Sequence, residues 1–582
     1  MLTDYFNYKI KIRDIEYISP EGQKYSNTAK ISFLDNNRKE LDYIELGYID
    51  TEDIYRKIDN NEPVDLSYCY VENFSLSIYK KSRSIEKDKY VKIKDFNAVN
   101  TFFDSQITND FSHADFGDCD VNFEKARFLN GNVTFHASKF GMGIFDFSYV
   151  IIDRGSFDFS NVISGDGDCI FKNSIFKTGI KNFQDVKFGK GEVSFVNTEF
   201  RDGEASFVNA DFSEGNVTFK VARFGDGKID FHFAKFGVGD ISFERTEFGN
   251  GKVDFRKVEF NIGRINFNRS AFGDCDVSFE GCELPKGRMT FKKTVFGNGH
   301  LNFELAEFEK ADLVFEKVDF PMGTVSFYSS KFDTLIMKSC HLDNYVDMRL
   351  KKCNYLDLSE AIVRDIIDIT CYDFDVNIQI MNISGMRLIG KIYIDWKKNN
   401  VPELINRQKE TSLRAKSEQF RILKQNFNCT GQYDDEDSAY VQFKRNEEKA
   451  ILKEAVQKYK YTYLWQYPFY LFKKLVFDKV GLYATSPFRV LKSVIYVYLI
   501  FTLIYIVAPL ISDAQVLSPD EPGTFLNTIL STCYYSAITF FTVGYGEFLP
   551  TGILRFFAAI EGFFGVFMMS YFTVAFARKI LR

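Results

Sequence analysis

Tryptophan and histidine are scarce in this chain, which holds 2 and 5 of them among 582 residues. Since the histidines are not clustered, the sequence offers little material for a metal centre or a general base. The ten cysteines stand singly and form no C-x-x-C pair, which argues against a zinc site and favours reduced, buried thiols. A net charge of -6 is small for this length, so we expect no nucleic-acid partner.

Phenylalanine, by contrast, is abundant, with 64 copies, and it is periodic. One phenylalanine recurs every twelve residues over 111–327, and a second series five residues behind it covers 116–332 with breaks only at Ile152, Ser164 and Leu284. Twelve residues at ~100° each drift by about 120° per repeat, so no helix face would persist. The odd steps of five and seven would flip side chains across a single strand. The chain must therefore turn a corner between successive phenylalanines.

A small or β-branched residue stands two positions before these phenylalanines, as in Ala126-Arg127-Phe128. The pattern resembles the pentapeptide-repeat proteins, which implies a right-handed, four-sided β-solenoid with both side chains pointing into a core. Alternate faces carry a G-x-G extension (Gly225, Gly227; Gly249, Gly251), so that one coil would take 24 residues; a flat, two-sided coil of twelve residues is the alternative. We expect these glycines to supply positive φ at corners, and not a phosphate loop, because no helix follows them.

The segments that flank the repeat differ from it in pattern. Residues 1–100 alternate apolar and polar side chains as strands do, whereas the segment after the repeat is charged and helical in period, with helices expected at 414–427 and 438–461. An aromatic, lysine-bearing stretch at 467–483 is expected at a membrane interface. The predicted organisation is a small β-rich N-terminal capping domain (1–100), a pentapeptide-repeat-like β-solenoid (101–396), a helical linker with an interfacial segment (397–486) and an apolar C-terminal domain (487–582).

Two apolar stretches near the C-terminus are long enough to cross a bilayer. Residues 493–512 contain no charged side chain, and 556–577 contain only Glu561. Lysine and arginine residues lead into the first stretch and follow the second, while the connecting loop holds Asp520 and Glu521. By the positive-inside rule, we expect a multi-pass protein of the plasma membrane, in a bacterium, with both termini in the cytoplasm.

A third apolar segment, 525–541, lies between these two stretches and is too short to cross. It is followed by Thr542-Val543-Gly544-Tyr545-Gly546. This T-V-G-Y-G sequence is the signature of the potassium channel family, and the order of outer helix, pore helix, signature and inner helix resembles its two-transmembrane members. The resemblance covers roughly residues 487–582. It implies an all-α pore domain with two membrane-spanning helices.

The resemblance implies a role for each residue of the signature. The backbone carbonyls of Thr542, Val543, Gly544 and Tyr545, with the Thr542 hydroxyl, would form successive oxygen rings that replace the water around a potassium ion. Gly544 and Gly546 would adopt positive φ, while Val543 and Tyr545 would pack the signature against the pore helix. Because one chain supplies a quarter of each ring, each subunit would need three identical partners, with K⁺ as the permeant ion and a lipid bilayer around the pore.

Five further residues are candidates for supporting or gating roles. Tyr534, Tyr535 and Glu547 stand where the family has filter-supporting residues, although Trp and Asp are more usual there. Glu561, a charge within a predicted span, is a candidate gating residue; the alternative is a carboxyl that bonds to pore-helix hydroxyls for packing. Gly565 is a candidate bend of the inner helix, with close helix packing as the alternative.

The function expected from these features is potassium-selective conduction by a tetrameric pore; enzymatic activity and a cofactor are not expected. A cation channel without potassium preference is one alternative, and a membrane-anchored scaffold with a degenerate pore is another. The solenoid is expected to serve gating or assembly, or to bind an unknown ligand or protein. We expect a signal from it to reach the pore through residues 465–492, which would press on the inner helix near Arg578 and Lys579.

Overall fold

The computed structural model describes residues 4–458, 461, 463–518 and 525–581. The chain divides into two compact units, Met1–Gln408 and Lys409–Arg582. The loop residues Asp520 and Glu521, which the sequence places on the outside of a membrane, lie outside the described residues.

The first unit opens with an antiparallel sheet and two short helices. The alternation expected of its strands is confirmed, since Ala29, Ile31 and Phe33 are all buried on one face. The alternation gave no sign of helices α1 (Thr51–Asp59) and α2 (Leu76–Ser82). The strands are Asn7–Arg13, Asn27–Leu34 and Glu40–Ile49, with a small hairpin of Tyr17–Ile18 and Lys24–Tyr25.

A parallel β-solenoid of about 14 turns follows, which confirms the predicted fold class. Its pairing starts at Pro63–Asp65, within the segment assigned to the capping domain. The strands on its longest continuous side are Pro63–Asp65, Lys94–Asn97, Val121–Asn122, Phe145–Asp146, Cys169–Ile170, Val193–Ser194, Val217–Thr218, Ile241–Ser242, Ile262–Asn266, Lys286–Thr290, Glu307–Glu316, Lys331–Lys338, Lys352–Asp357 and Ile378–Asn382.

Each turn of the regular region has four sides and takes 24 residues, so the two-sided coil of twelve residues is wrong. One residue from each side pairs with the residue 24 positions later: Val193 with Val217, Glu199 with Arg223, Ala205 with Ile229 and Asp211 with Lys235. The other sides hold the strands Cys69–Glu72, Phe102–Asp110, Arg127–Thr134, Phe157–Asp158, Lys181–Asn182, Ala205–Ser206, Ile229–Asp230, Val253–Asp254, Val277–Ser278, Leu301–Asn302, Val325–Ser326, Val346–Asp347, Ile366–Asp368 and Lys391–Tyr393; Ile151–Ile152, Ile175–Phe176, Glu199–Phe200, Arg223–Phe224, Glu247–Phe248, Ala271–Phe272, His341–Leu342, Ile362–Val363 and Arg387–Leu388; and Val91–Lys92, Ala114–Asp115, Lys139–Phe140, Ile163–Ser164, Lys235–Phe236 and Glu259–Phe260.

Two columns of phenylalanine rings fill the solenoid, as the twelve-residue series predicts. Every phenylalanine of the series over 111–327 has an exposed fraction of 0%. Rings 24 positions apart stack, as Phe195 and Phe219 do with centroids 4.7 Å apart. Rings twelve positions apart meet edge to face, as Phe207 and Phe219 do at 5.5 Å and 89°. Because each ring contacts rings of the neighbouring turns, the stability of one turn depends on the turns beside it.

The corner glycines have a different role from the one predicted. Gly225, Gly227, Gly249 and Gly251 do not adopt positive φ. A Cβ atom on Gly227 would lie 2.0 Å from the carbonyl oxygen of Gly203 in the preceding turn. Glycine is therefore required there because successive turns approach each other closely. Positive φ occurs instead at residues two positions after the buried phenylalanines, and most of those residues are not glycine.

The last turns are shorter and less regular, as the loosening of the repeat predicts. Ser326 pairs with Asp347, which lies beside Asp368 of the next turn, so these turns take 21 residues. Pairing ends at Lys391–Tyr393. Helix α3 (Val401–Asn406) then packs against the last turn and covers its open end.

Among its described residues, the second unit is helical apart from one short pairing of Val516–Leu517 with Leu549–Pro550. The two predicted linker helices are present as α4 (Leu413–Cys429) and α5 (Tyr433–Lys458), which pack side by side. Helix α5 starts before the predicted residue 438 because three acidic side chains in its first turn suit the positive end of the helix dipole. The remaining helices are α6 (Tyr463–Lys473), a π-helical turn (Lys474–Lys479), α7 (Pro487–Ile511), α8 (Phe525–Phe540) and α9 (Leu554–Ile580).

Helices α7 and α9 are long and apolar enough to cross a membrane. They have 25 and 27 residues, and at a rise of ~1.5 Å per residue each exceeds a hydrocarbon core of about 30 Å. Only 22% and 17% of their most apolar stretches are buried within the chain. Such exposed apolar surface requires a cover of lipid or of other protein. Helix α8, with 16 residues, is too short to span.

Candidate functional site

The three apolar helices of the second unit pack against one another around the end of α8. One buried cluster joins Val490 and Val494 of α7 to Phe540 of α8 and to Met568 and Ala575 of α9. Because α8 ends at Phe540 within this cluster, the T-V-G-Y-G segment leaves from a fixed point between the two long helices.

The T-V-G-Y-G segment turns back on the end of α8. The amides of Val543 and Gly544 donate to the carbonyl oxygen of Ile538 at 2.8 and 3.3 Å. Gly544 and Gly546 have φ of 56° and 80°, as expected for this signature. Thr542 also has a φ of 56°, which is a strained conformation for a β-branched residue. Since these amides bond to the helix end, the backbone carbonyls of the segment are the polar groups that remain for a cation.

The side chains of the segment lie on the surface of the single chain. Tyr545 is 67% exposed and Val543 is 50% exposed, so neither packs against α8 of its own chain. The Thr542 hydroxyl donates to the carbonyl oxygen of Phe541 at 2.7 Å. The surfaces of these side chains are therefore available to another protein chain.

Of the three predicted supporting residues, Tyr535 is the most enclosed. Its side chain is buried, and its ring centroid lies 5.1 Å from that of Tyr505 on α7 and 6.1 Å from that of Phe548 after the segment. Tyr534 is partly exposed and its ring lies 5.7 Å from Phe548. Glu547 is exposed and has no hydrogen-bond partner among the described residues. Tyr535 thus links the outer helix to the residues on both sides of the segment.

Glu561 joins all three apolar helices. It is fully buried on α9 and accepts hydrogen bonds from the Ser536 hydroxyl of α8 at 2.5 Å and the Tyr505 hydroxyl of α7 at 2.7 Å. A buried carboxyl group requires such partners, because an unpaired one would be costly in an apolar layer. This geometry favours the packing role over the gating role for Glu561, and the gating role stays a prediction.

Gly565 lies where α9 crosses the end of α8. A Cβ atom on it would lie 1.8 Å from the carbonyl oxygen of Phe540. Helix α9 continues without a break from Leu554 to Ile580 through this position. The glycine therefore serves close helix packing in this structure, which is the alternative to a bend.

The end of α9 is bound to the start of α5. Arg578 donates to Asp437 at 2.9 Å, and the ammonium group of Lys579 lies 2.9 Å from Asp434 and 3.0 Å from Asp437. The Arg578 guanidinium group also lies over the ring of Tyr440, 4.6 Å from its centroid. We refer to these five residues as the α5–α9 junction.

Sequence reasoning named Arg578 and Lys579 but missed their partners. Asp434 and Asp437 belong to an acidic run at the start of α5, and the basic end of α9 has the opposite charge. Opposite charge was thus the available signal. It could not identify the pairs, because the two runs are separated by more than 140 residues of sequence.

Comparison with known protein families gives a match at the C-terminus. A family model described as "ion channel" matches residues 493–582, a range that includes most of α7, the T-V-G-Y-G segment and α9. No curated protein and no solved structure matches the chain. The C-terminal part is therefore an ion-channel domain with two candidate membrane-spanning helices, and it follows a β-solenoid in the chain.

Proposed function

We propose that the chain is one of four identical subunits of a potassium-selective channel. The observation that carries this proposal is the T-V-G-Y-G segment at the end of α8, between two apolar helices and within the residues that match the ion-channel family. Carbonyl oxygens of Thr542, Val543, Gly544 and Tyr545 would replace the hydration shell of K⁺. The pore conducts passively and requires no cofactor besides the permeant ion.

A fourfold assembly follows from the chemistry of the segment. One chain supplies only one oxygen to each ring, whereas a dehydrated K⁺ ion needs oxygens on all sides. The exposed side chains of Val543 and Tyr545 support the same assembly, since they offer an apolar surface to a neighbouring copy. Irregular backbone at membrane depth is tolerated where it lines such a water-filled or ion-filled cavity.

The distribution of basic residues supports one orientation in the plasma membrane. Arg489 and Lys492 stand at the start of α7, and Arg578 and Lys579 stand at the end of α9. By the positive-inside rule, both of these helix ends face the cytoplasm. The solenoid, which precedes α7 in the chain, is then cytoplasmic and serves gating or assembly, or binds a ligand or protein.

Ion flux through purified protein in liposomes tests this proposal. Potassium flux should greatly exceed sodium flux in the wild type. Gly544→Ala should abolish the potassium flux, because a side chain is strained at a φ of 56°. Gly562→Ala is the matched control on α9, where the nearest atom to an added Cβ lies 3.8 Å away, and it should conduct normally.

Each alternative function has its own result in the same experiment. Equal permeability for sodium and potassium would favour a cation channel without potassium preference. No flux of any cation from a correctly assembled wild-type protein would favour the membrane-anchored scaffold. Undiminished potassium flux in Gly544→Ala would contradict the assignment of the T-V-G-Y-G segment as the filter.

A further inference from the structure

Helix α5 binds the segment before α7 as well as the end of α9. Arg445 of α5 donates to both carboxylate oxygens of Asp478 in the π-helical turn, at 2.8 to 3.1 Å. Glu448 of α5 pairs with Lys473 at the end of α6, at 3.1 Å. Asp478 is buried, so its pairing with Arg445 is shielded from water and is costly to break. Helix α5 thus holds the approach to the outer helix in a defined position.

Tyr571 of α9 binds the same approach segment directly. Its hydroxyl accepts the amide of Ala484 at 3.0 Å and donates to the carbonyl oxygen of Phe477 at 3.3 Å. Gly481 lies against the tyrosine ring, and a Cβ atom there would be 2.5 Å from it. The last turns of α9 are therefore bonded on one side to α5 and on another to residues 477–484.

The approach segment holds an unusual backbone conformation beside Tyr571. Leu482, Tyr483 and Ala484 have φ of 48°, 54° and 62°. Three successive residues other than glycine in the left-handed region are unfavourable, and such a run persists only where its surroundings hold it in place. The bonds from Tyr571 and Arg445 supply that restraint, which indicates that this arrangement is built for one position of the α9 end.

We propose that Asp437, with Asp434 and Tyr440, positions the cytoplasmic end of α9, and that its pairing with Arg578 and Lys579 sets the balance between the open and closed pore. The inference rests on the proposed function. Helix α9 is continuous and is packed at Gly565 against the end of α8. Its other end can move relative to α5 only if the ion pairs of the α5–α9 junction break or exchange partners.

This route differs from the one that the sequence predicts. The prediction places the whole signal in residues 465–492, which press on α9 from the outer-helix side. The structure adds α5, which contacts the α9 end and the approach segment at once. A shift of α5 therefore displaces both pore helices together, and the start of α5 becomes the place where a signal enters the pore.

Single-channel recording in planar bilayers tests the pairing by exchange of charge. The variants are Asp437→Arg, Arg578→Asp and the double variant that carries both changes. Each single reversal should change the ratio of open to closed time by roughly tenfold, a typical size for coupling between sites. The double variant restores an attractive pair and should return this ratio to within about threefold of wild type. Unit conductance and ion selectivity should not change, because a role in positioning leaves the filter intact.

A control reversal and two conservative variants make the result decisive. Glu418→Arg makes the same change of charge on α4, at an exposed pair with Arg421, and should leave the open ratio unchanged. If a reversal prevents assembly, Asp437→Asn should still shift the ratio and Asp437→Glu should stay near wild type.

Three outcomes would overturn the inference. The first is an unchanged ratio in both single variants. The second is a double variant that remains as altered as the single ones, because the charges would then act separately and not as a pair. The third is a wild type that conducts no ion, which would overturn the proposed function together with the inference. The first two arise only with a conducting wild type, so they are distinct from a failure of the proposed function.

Discussion

At the scale of single residues, the phenylalanine columns give the most direct test of the fold. Phe231 is fully buried, and its ring stacks on Phe207 at 4.6 Å and on Phe255 at 4.9 Å. Phe231→Asp would place a charge among these rings and open a cavity, at a cost of about 4 kcal/mol or more. The loss of β-structure on heating, followed by circular dichroism, should occur at a clearly lower temperature than in the wild type.

A neighbouring phenylalanine provides the matched control for this substitution. Phe233 is 43% exposed and has a φ of 60°, a conformation that Asp adopts more readily than Phe. Phe233→Asp should therefore melt at the wild-type temperature or above it. If Phe231→Asp also melted like the wild type, the columns would not form the core.

Lys181 is an exception to the apolar pattern inside the solenoid. It occupies an inward position between Phe157 and Ala205 of the adjacent turns and is fully buried, with its ammonium group bonded to the Asp202 carbonyl. Burial lowers the pKa of Lys181 to about 8. The unfolded chain, with a lysine pKa of about 10.4, binds the proton more tightly than the folded one. Stability should therefore rise with pH between about 8 and 10.4, and the destabilising effect of Lys181 is greatest below pH 8.

Lys181→Met should remove this destabilising effect. At pH 7 the variant should gain roughly 1–3 kcal/mol, because an apolar side chain replaces a buried ammonium group. Thermal melting at a series of pH values should show the advantage shrinking as the pH rises above 8. Lys187→Met, at an exposed position, should show no such trend. An advantage for Lys181→Met of equal size at every pH would attribute the gain to packing and not to charge.

At the scale of elements, the crossing of α9 over the end of α8 depends on one glycine. Gly565→Ala places a methyl group 1.8 Å from the Phe540 carbonyl oxygen, so α9 must move away from α8. The T-V-G-Y-G segment starts directly after this point, and a shift there should lower both the thermal stability of the assembled protein and its potassium flux. Gly562→Ala, three residues earlier on the same helix, should preserve both properties. Normal flux and melting in Gly565→Ala would show that the crossing is not required.

The elements that repeat were the ones the sequence could predict. Each position of the phenylalanine series has the same environment in every turn, so the spacing alone indicated a solenoid and a coil of 24 residues. The absence of C-x-x-C pairs likewise indicated free thiols, and all ten cysteines are free, six of them buried. The role of the corner glycines was misjudged, because glycine suits both positive φ and a close approach of backbones. Gly227 needs only the latter.

The candidate site was predictable to a lesser degree. The T-V-G-Y-G segment could be recognised because its five residues are contiguous and stand between two apolar stretches. The partners of Glu561 and Arg578 could not be named, since they come from distant parts of the chain and depend on how helices pack. A carboxyl group within a span has several hydroxyl groups within reach in the sequence, and only the packing selects Ser536 and Tyr505.

At the scale of the whole molecule, the chain joins a solenoid to an ion-channel domain through a short connection. Residues 407–412 lie between α3 of the first unit and α4 of the second, and the division between the units falls at Gln408 and Lys409. Any force that the solenoid applies to the pore must pass through this connection, or through contacts between the units. A cut in the connection therefore removes the covalent route while the second unit remains whole.

A protease site placed at 409–411 would allow the same channels to be recorded before and after the cut. We expect the unit conductance and the preference for potassium to stay the same, because α7, α8 and α9 hold the T-V-G-Y-G segment by contacts within the second unit. We expect the ratio of open to closed time to change by roughly fivefold or more, since α4 and α5 would no longer be restrained by the solenoid at the start of α4. Protein without the inserted site, treated with the same protease, controls for damage elsewhere. An unchanged ratio after complete cleavage, with the solenoid washed away, would assign the solenoid to assembly or localisation and leave the α5–α9 junction to act without it.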